Sequence, residues 1–448
     1  MNNIAKIYGS IFIAACLISV VFIVFDSDGR EIKGDAIIYY RITDKILNGH
    51  GFSDAESSPD IIRPTMSREP VYPFFLSFLL FLFKKNILLI QITQALIYAL
   101  TCLVIFKIYY MCFDKKIAFI GAIVFALFPT IPSYTPYLLT EVLFTFLLAV
   151  SILGLMNAFK YDSLRWFFYT GLTIGAATLC RAVLMLFFIF IILAIFLYYF
   201  RKDKKILNPK VLKASIILLL GYFLIVTPWI LRNYAIFGKP SITLRGYSTT
   251  YTRAVKVNLS GKELKMYTAY CFSEYLASKL YPDHNFSSTS KGYFYQPAAS
   301  RYKEFSALGL SSEEQDRKFK EETLFLIHSH PVKFIGMGFF EFFKFNSFSQ
   351  VLLLNDKKLE KSFNDNYFLP VLRGFLKLLG IIMALFSFYI IISRLRFIYN
   401  WLPIACVIFY FNSVHFFLDS TGRYALPIIP YYFFFIIIGV TQLKKKYV

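Results

Sequence analysis

Charge is scarce in this sequence. Asp, Glu, Lys and Arg make up 17% of its 448 residues, against roughly a quarter in a soluble globular domain. That is too little to clothe a water-facing surface. Histidine is scarcer still, at five residues, which argues against a His-rich metal centre. The six cysteines include no CxxC pair, and Cys16, Cys102, Cys112, Cys180 and Cys406 fall in or beside apolar runs. Neither a disulfide framework nor a zinc site is suggested. Acids are the rarer charge, 27 against 48 Lys and Arg, for a formal +21. In a soluble chain that surplus would point to nucleic acid; here membrane topology and anionic headgroups explain it first, and no nucleic-acid partner is expected.

What the chain has in quantity is apolar side chain. Hydrophobic residues reach 57%, with 52 Phe and 32 Tyr, and several uninterrupted runs reach the ~20 residues that span a bilayer as helix. A soluble enzyme, a disordered chain and a β-barrel are excluded. The fold class is an all-α polytopic membrane protein.

Ten crossings are expected: 4–25, 87–110, 117–133, 137–159, 166–180, 182–200, 211–231, 368–393, 399–417 and 424–442. The first is long and lacks a small-residue cleavage site, so it reads as a retained helix rather than a signal peptide. An even count puts both termini on one side. Lys115/Lys116, Lys160/Arg165, the cluster Arg201 to Lys205, Arg394/Arg396 and Lys444 to Lys446 all fall on that side. Positive charge marks cytoplasmic loops, which makes the termini cytoplasmic and the long segments 26–86 and 232–367 external. The chain then divides into an N-terminal membrane module, 1–231, carrying the external loop 26–86; an external region, 232–367; and C-terminal membrane helices, 368–448.

Residues 70–83 are too short to cross and read as an interfacial or re-entrant helix with Pro at its first turn. The Phe-rich stretch 331–354, with Lys333, Glu341 and Lys344 spaced along it, reads as an amphipathic helix in the headgroup layer. Within 243–333 the sequence is Tyr-, Ser- and Thr-rich at first and more helical from about 300, where Ser311-Ser312-Glu313-Glu314 reads as a Ser-capped helix start.

Ionisable groups at the ends of apolar helices are functional suspects because burying them is costly. On the external side the pattern collects Asp35 after the first helix, Arg63, Arg68 in Arg68-Glu69-Pro70-Val71-Tyr72-Pro73, Glu141 at the start of the fourth crossing, Arg181, Arg232 and Arg423. Tyr39, Tyr72 and Tyr424 accompany them. Each has a plainer reading. Asp35 is also placed as a helix cap, Glu141 as a partner of a helix dipole, the arginines as headgroup anchors and the tyrosines as an aromatic belt. Their convergence on one membrane face carries the argument. Guanidinium forks grip phosphate, and a carboxylate beside them removes a proton. No spacing calls for a cofactor or metal, though Asp35 and Glu141 are the pair that would share a divalent ion.

At these positions the sequence resembles the GT-C superfamily of polytopic glycosyltransferases, in the bacterial branch related to protein mannosyltransferases and the lipid A aminoarabinose transferase. The likeness rests on order and sidedness: Asp35-Ala36-Ile37-Ile38-Tyr39, Asn48-Gly49-His50-Gly51-Phe52, the Arg68 to Pro73 element, Pro132 through Glu141, Cys180-Arg181, Thr227 through Tyr234, His330-Pro331, and Arg423 through Pro430. The resemblance implies a GT-C helical bundle in the bacterial cytoplasmic membrane with its active site outside. It implies inverting transfer of a sugar from a polyprenyl-phosphate donor to a lipid or glycan acceptor. Asp35 would be the catalytic carboxylate, with Glu141 as a second acid, and Arg68 would grip the donor phosphate. Arg63, Arg181, Arg232 and Arg423 would assist Arg68, while Tyr39, Tyr72 and Tyr424 line the substrate. An O-antigen polymerase or ligase type of enzyme is the alternative; a secondary transporter would instead place its charges near the bilayer midplane.

Overall fold

The computed structural model describes residues 2–25, 32–54, 62–244, 246–272, 274–286, 292–348 and 368–446. Helix α1 (Asn2–Phe25) leads to the short α2 (Asp35–Leu47) and a two-residue antiparallel pairing of β1 (Ser53–Asp54) with β2 (Arg63–Pro64). Then come α3 (Val71–Leu82), α4 (Ile87–Tyr110), α5 (Lys115–Leu127), α6 (Glu141–Tyr161), α7 (Leu164–Cys180), α8 (Phe187–Asp203) and α9 (Pro209–Phe237). Five shorter helices follow: α10 (Gly246–Ala254), α11 (Gly261–Phe272), α12 (Glu274–Leu280), α13 (Gln296–Ala307) and α14 (Ser312–Ser329). The series closes with α15 (Pro331–Phe345), α16 (Phe368–Ser393), α17 (Leu402–Phe417) and α18 (Ile429–Lys446).

Among the described residues, eight helical segments are long and apolar enough to cross a membrane. They include α1, α4, α6 and α9. Two further expected crossings are shorter: α7 has 17 residues and α17 has 16, at or just below the lower limit of about 17 for a spanning helix. Polar residues stop the helices where the apolar runs end. Asp114 caps α5 by accepting the Ile117 N–H (2.9 Å), and Asn208 caps α9 with Pro209 at its first position. At the same end of the bundle as these caps, Lys202 and Lys210 gather on Asp162.

Three of the expected boundaries shift, two of them at prolines. Prolines withhold the N–H that a continuous helix needs. The run beginning at 137 is helical only from Glu141, because 128–140 holds Pro129, Pro132 and Pro136 and folds into turns around a 3-10 segment, Pro132–Tyr134. The run beginning at 182 starts with a 3-10 turn, Ala182–Leu184, before α8. The run beginning at 424 is 3-10 through Gly422–Ile428, containing Pro427, before α18.

Helix α3, twelve residues long, is too short to cross and leaves Phe74, Phe78 and Phe81 exposed. Helix α15 corrects the sequence reading. Val332, Ile335 and Phe339 are exposed beside Lys333, while Glu341 and Lys344 are buried. The periodicity was amphipathic, but Glu341 and Lys344 turn inward because partners from other elements meet them, while Lys333 stays exposed. Positions 349–354 of that stretch lie outside the described residues. The segment 246–329 is helical far earlier than 300. Its short helices gain stability from packed aromatics, among them Tyr267, Tyr270, Phe286 and Phe294, rather than from propensity. The Ser311 start forms a full capping box with Glu314.

Candidate active site

Five charged side chains from five separate elements form one continuous chain of ion pairs. Gly34, at φ 58°, turns the backbone into α2 and sets Asp35 as its first residue. Only glycine holds that conformation without strain. Asp35 Oδ1 accepts from Arg68 Nη2 at 2.7 Å, and Oδ2 accepts from Arg423 Nη1 at 3.1 Å. Arg423 Nε donates to Glu141 Oε1, which also accepts from Arg181 Nη1 at 3.1 Å. Three guanidinium groups thus face two carboxylates, leaving a net positive charge.

Exposure separates their capacities. The Asp35 side chain is 41% accessible, whereas Arg68 is 2% and Glu141 0%. Arg68 Nε and Nη1 and Glu141 Oε2 are buried with no hydrogen-bond partner. Buried polar atoms are ordinarily paired, so Arg68 and Glu141 each keep unmet hydrogen-bonding capacity inside the cluster.

Aromatic rings hold the guanidinium planes. Arg68 lies over the Tyr39 ring at 5.3 Å, and Tyr39 packs edge-on against Tyr72 at 5.1 Å. Tyr72 is fully buried and donates to Gln94 Oε1 (3.2 Å). It stands behind Tyr39 rather than at an open surface. Arg181 lies over Tyr424 (5.3 Å) and Phe144 (5.6 Å).

Three supporting residues carried no role in the sequence reading. Glu69 Oε1 accepts the Ala182 N–H at 3.0 Å, tying the Arg68 turn to the residue after Arg181. Gln94 donates to the carbonyls of Thr135 and Tyr137, and Gln91 to that of Pro136, so the Pro-broken segment before Glu141 is pinned to α4. The signal available beforehand was two glutamines, Gln91 and Gln94, inside an apolar crossing.

The fold leaves Arg63 and Arg232 out of this cluster. Arg63 is exposed on β2. Arg232 donates to the carbonyls of Thr65 (2.8 Å) and Phe52 (2.9 Å) and stacks on Trp229 at 4.8 Å. Those donors are spent on backbone, making Arg232 a staple for the β1–β2 segment. Arg232→Ala is expected to cost about 1–3 kcal/mol of stability through unmet carbonyls, lowering the Tm in detergent. Arg423 lies between the two acids that would share a divalent ion, and among the described residues no three His, Cys, Asp or Glu side chains form a metal site.

Residues 64–231 match the family model of dolichyl-phosphate-mannose-protein mannosyltransferases. The match holds Arg68, Glu141 and Arg181, covers less than half of the chain, and stops short of Asp35 and Arg423. No curated protein matches the chain. Among solved structures, the chain is similar to the archaeal oligosaccharyltransferase AglB from Archaeoglobus fulgidus in complex with an inhibitory peptide and a dolichol-phosphate. That likeness has a TM-score of 0.52 at 15% identity, over 98% of this chain and 50% of that one. The apo form of the Archaeoglobus fulgidus oligosaccharyltransferase matches with a TM-score of 0.53 at 15% identity, over 98% and 51%. The chain spans about half the length of these structures. It shares the fold of these oligosaccharyltransferases, and over residues 64–231 it matches the family model of the dolichyl-phosphate-mannose-protein mannosyltransferases.

Proposed function

We propose that this protein is an inverting glycosyltransferase. It moves a sugar from a polyprenyl-phosphate-linked donor to a lipid or glycan acceptor at the external face of the bacterial cytoplasmic membrane. The observation that carries the reading is the ion-pair chain itself: one accessible carboxylate, Asp35, among three guanidinium groups, with orphaned donors on Arg68.

The step is a single displacement. The acceptor's oxygen or nitrogen attacks the anomeric carbon from the face opposite the phosphate, and its proton passes to Asp35. The bond from that carbon to the phosphate oxygen breaks, and its electron pair leaves with the polyprenyl phosphate. Arg68 meets the phosphate charge without risk of losing its own proton. One acid suffices for such a displacement, unlike the carboxylate pair of retaining glycoside hydrolysis. Glu141, read from the sequence as a second acid, is assigned the holding of Arg181 and Arg423, because it is already paired with both.

The apolar tail has surfaces to lie against. Phe78 and Phe81 on α3 and Val332 and Phe339 on α15 are all at least 60% exposed, and each buried CH₂ is worth ~0.8 kcal/mol. The run of α6 supports the sidedness. It runs 21 residues from Glu141 to Tyr161, roughly 1.5 Å per residue, so the basic loops at 160–165 and 201–210 sit a bilayer core away from the acids. Positive loops face the cytoplasm, which supports an external site. The dolichol-phosphate bound to the archaeal oligosaccharyltransferase supports a lipid-linked donor.

Proteoliposomes loaded with labelled polyprenyl-phosphate sugars and a membrane extract as acceptor test the reading. Sugar should become covalently attached to an acceptor; label that merely crosses the bilayer would identify a transporter instead. Arg68→Ala should weaken donor use by about 2–5 kcal/mol, the cost of losing a buried charge partner. That loss is read as a rise in donor KM or a fall in kcat/KM; unchanged donor kinetics would count against Arg68.

A further inference from the structure

Away from the acid cluster, four buried charges form a second network. Lys256 Nζ donates to Glu341 Oε1 (2.8 Å), to the Tyr267 hydroxyl (2.9 Å) and to Asp419 Oδ1. Lys344 Nζ donates to Asp419 Oδ1 and to the Tyr295 hydroxyl, both at 3.0 Å. Glu341 Oε2 accepts the backbone N–H of Ser420 at 2.9 Å. Lys256, Glu341, Lys344 and Asp419 are all at most 9% exposed. Burial alone would raise the Asp419 carboxyl, but the two ammonium groups outweigh it and hold the group below the usual carboxylate range. Burying two opposite pairs is costly, and such pairs are retained where they fix a unique geometry.

What this knot fixes is the backbone between α17 and α18. Asp419 and Ser420 are gripped by side chains from 256 and α15. Two residues on, Gly422 lies so close to α15's end that a Cβ there would stand 1.8 Å from the Ser347 carbonyl oxygen. The next residue is Arg423, which bridges Asp35 and Glu141. The end of α15 is itself anchored, with Asn346 bonded to Asn412 and Tyr432.

We propose that Asp419 is a positioning residue for transfer, setting Arg423 across the two acids through the Lys256–Glu341–Lys344 knot. The effect on transfer rests on the function proposed above; the effect on Arg423 geometry does not. Asp419→Asn should lower kcat about 10- to 100-fold, as expected when a charge near the reacting centre shifts by an ångström or so, with the donor KM changed less than about threefold.

The test is a double-mutant cycle with a structural readout. On an Arg423→Ala background, Asp419→Asn should change kcat by less than about twofold, since residues acting through one another are not additive. Independent, multiplying losses would overturn the proposal, as would wild-type kcat in Asp419→Asn alone. A cryo-EM structure of Asp419→Asn in nanodiscs should show the Arg423 guanidinium withdrawn from Asp35. If the bridge is retained, Asp419 does not position it. If Arg423→Ala itself keeps full transfer, the function proposed above fails, and the cryo-EM result still decides the role of Asp419. Should the single variant not fold, Lys344→Gln with Asp419→Asn removes one charge of each sign and keeps the Lys256–Glu341 pair for the same measurements.

Discussion

Asp35→Asn is expected to lose transfer by about 100- to 10,000-fold, the range assigned to a positioned proton acceptor. The amide keeps the shape of the carboxylate and still offers one oxygen to Arg68 or Arg423, yet it takes no proton from the acceptor. Stability should change little, because the amide oxygen still accepts from the buried Arg68 and the Asp35 side chain itself is 41% accessible. The separation of the two effects is the point of the experiment. Labelled-sugar transfer should collapse while the Tm in detergent and membrane insertion match those of the parent protein. Near-normal turnover would remove Asp35 from the chemistry and leave it as a helix-terminal residue.

Arg423→Ala should do both kinds of damage at once. Removing the guanidinium strips one of two partners from Glu141, which has no exposure at all, and one of two from Asp35. Breaking a buried pair from one side costs about 3–5 kcal/mol, so a clear fall in Tm should accompany a reduced but measurable rate of transfer. Arg423→Lys should recover little of the activity, because a single ammonium cannot span two carboxylates as a planar fork does. Chemical denaturation combined with the transfer assay separates the losses. If Arg423→Lys restores full transfer, the bridging geometry is not what the site needs.

The membrane helices were legible because hydrocarbon imposes its own grammar. Runs of apolar residues bounded by Asp114, Lys160 or Arg201 leave the chain few alternatives. Helix polarity then placed Asp35, Arg68, Glu141, Arg181 and Arg423 at one end. Sidedness does not fix lateral position, however. Arg63 and Arg232 share that end by sequence, but one is exposed on a short strand and the other is consumed by two carbonyls. The knot was illegible for a different reason. Its members are separated by up to 163 positions along the chain, and in sequence Glu341 and Lys344 look like the wet face of an amphipathic helix. Pairing across that distance is a tertiary property with no local signal. The prolines at 129, 132, 136 and 427 were break signals that the expected crossings passed over, and nothing local says that the broken segments are pinned against α4 or the end of α15.

The central claim is that these guanidinium groups hold a lipid-borne phosphate beside Asp35. A cryo-EM structure in nanodiscs containing undecaprenyl phosphate tests it most directly. The account predicts phosphate density within hydrogen-bonding reach of Arg68, with the isoprenoid tail running out along α3 or α15 and the density absent in Arg68→Ala. Phosphate bound elsewhere, or bound equally well without Arg68, would contradict it.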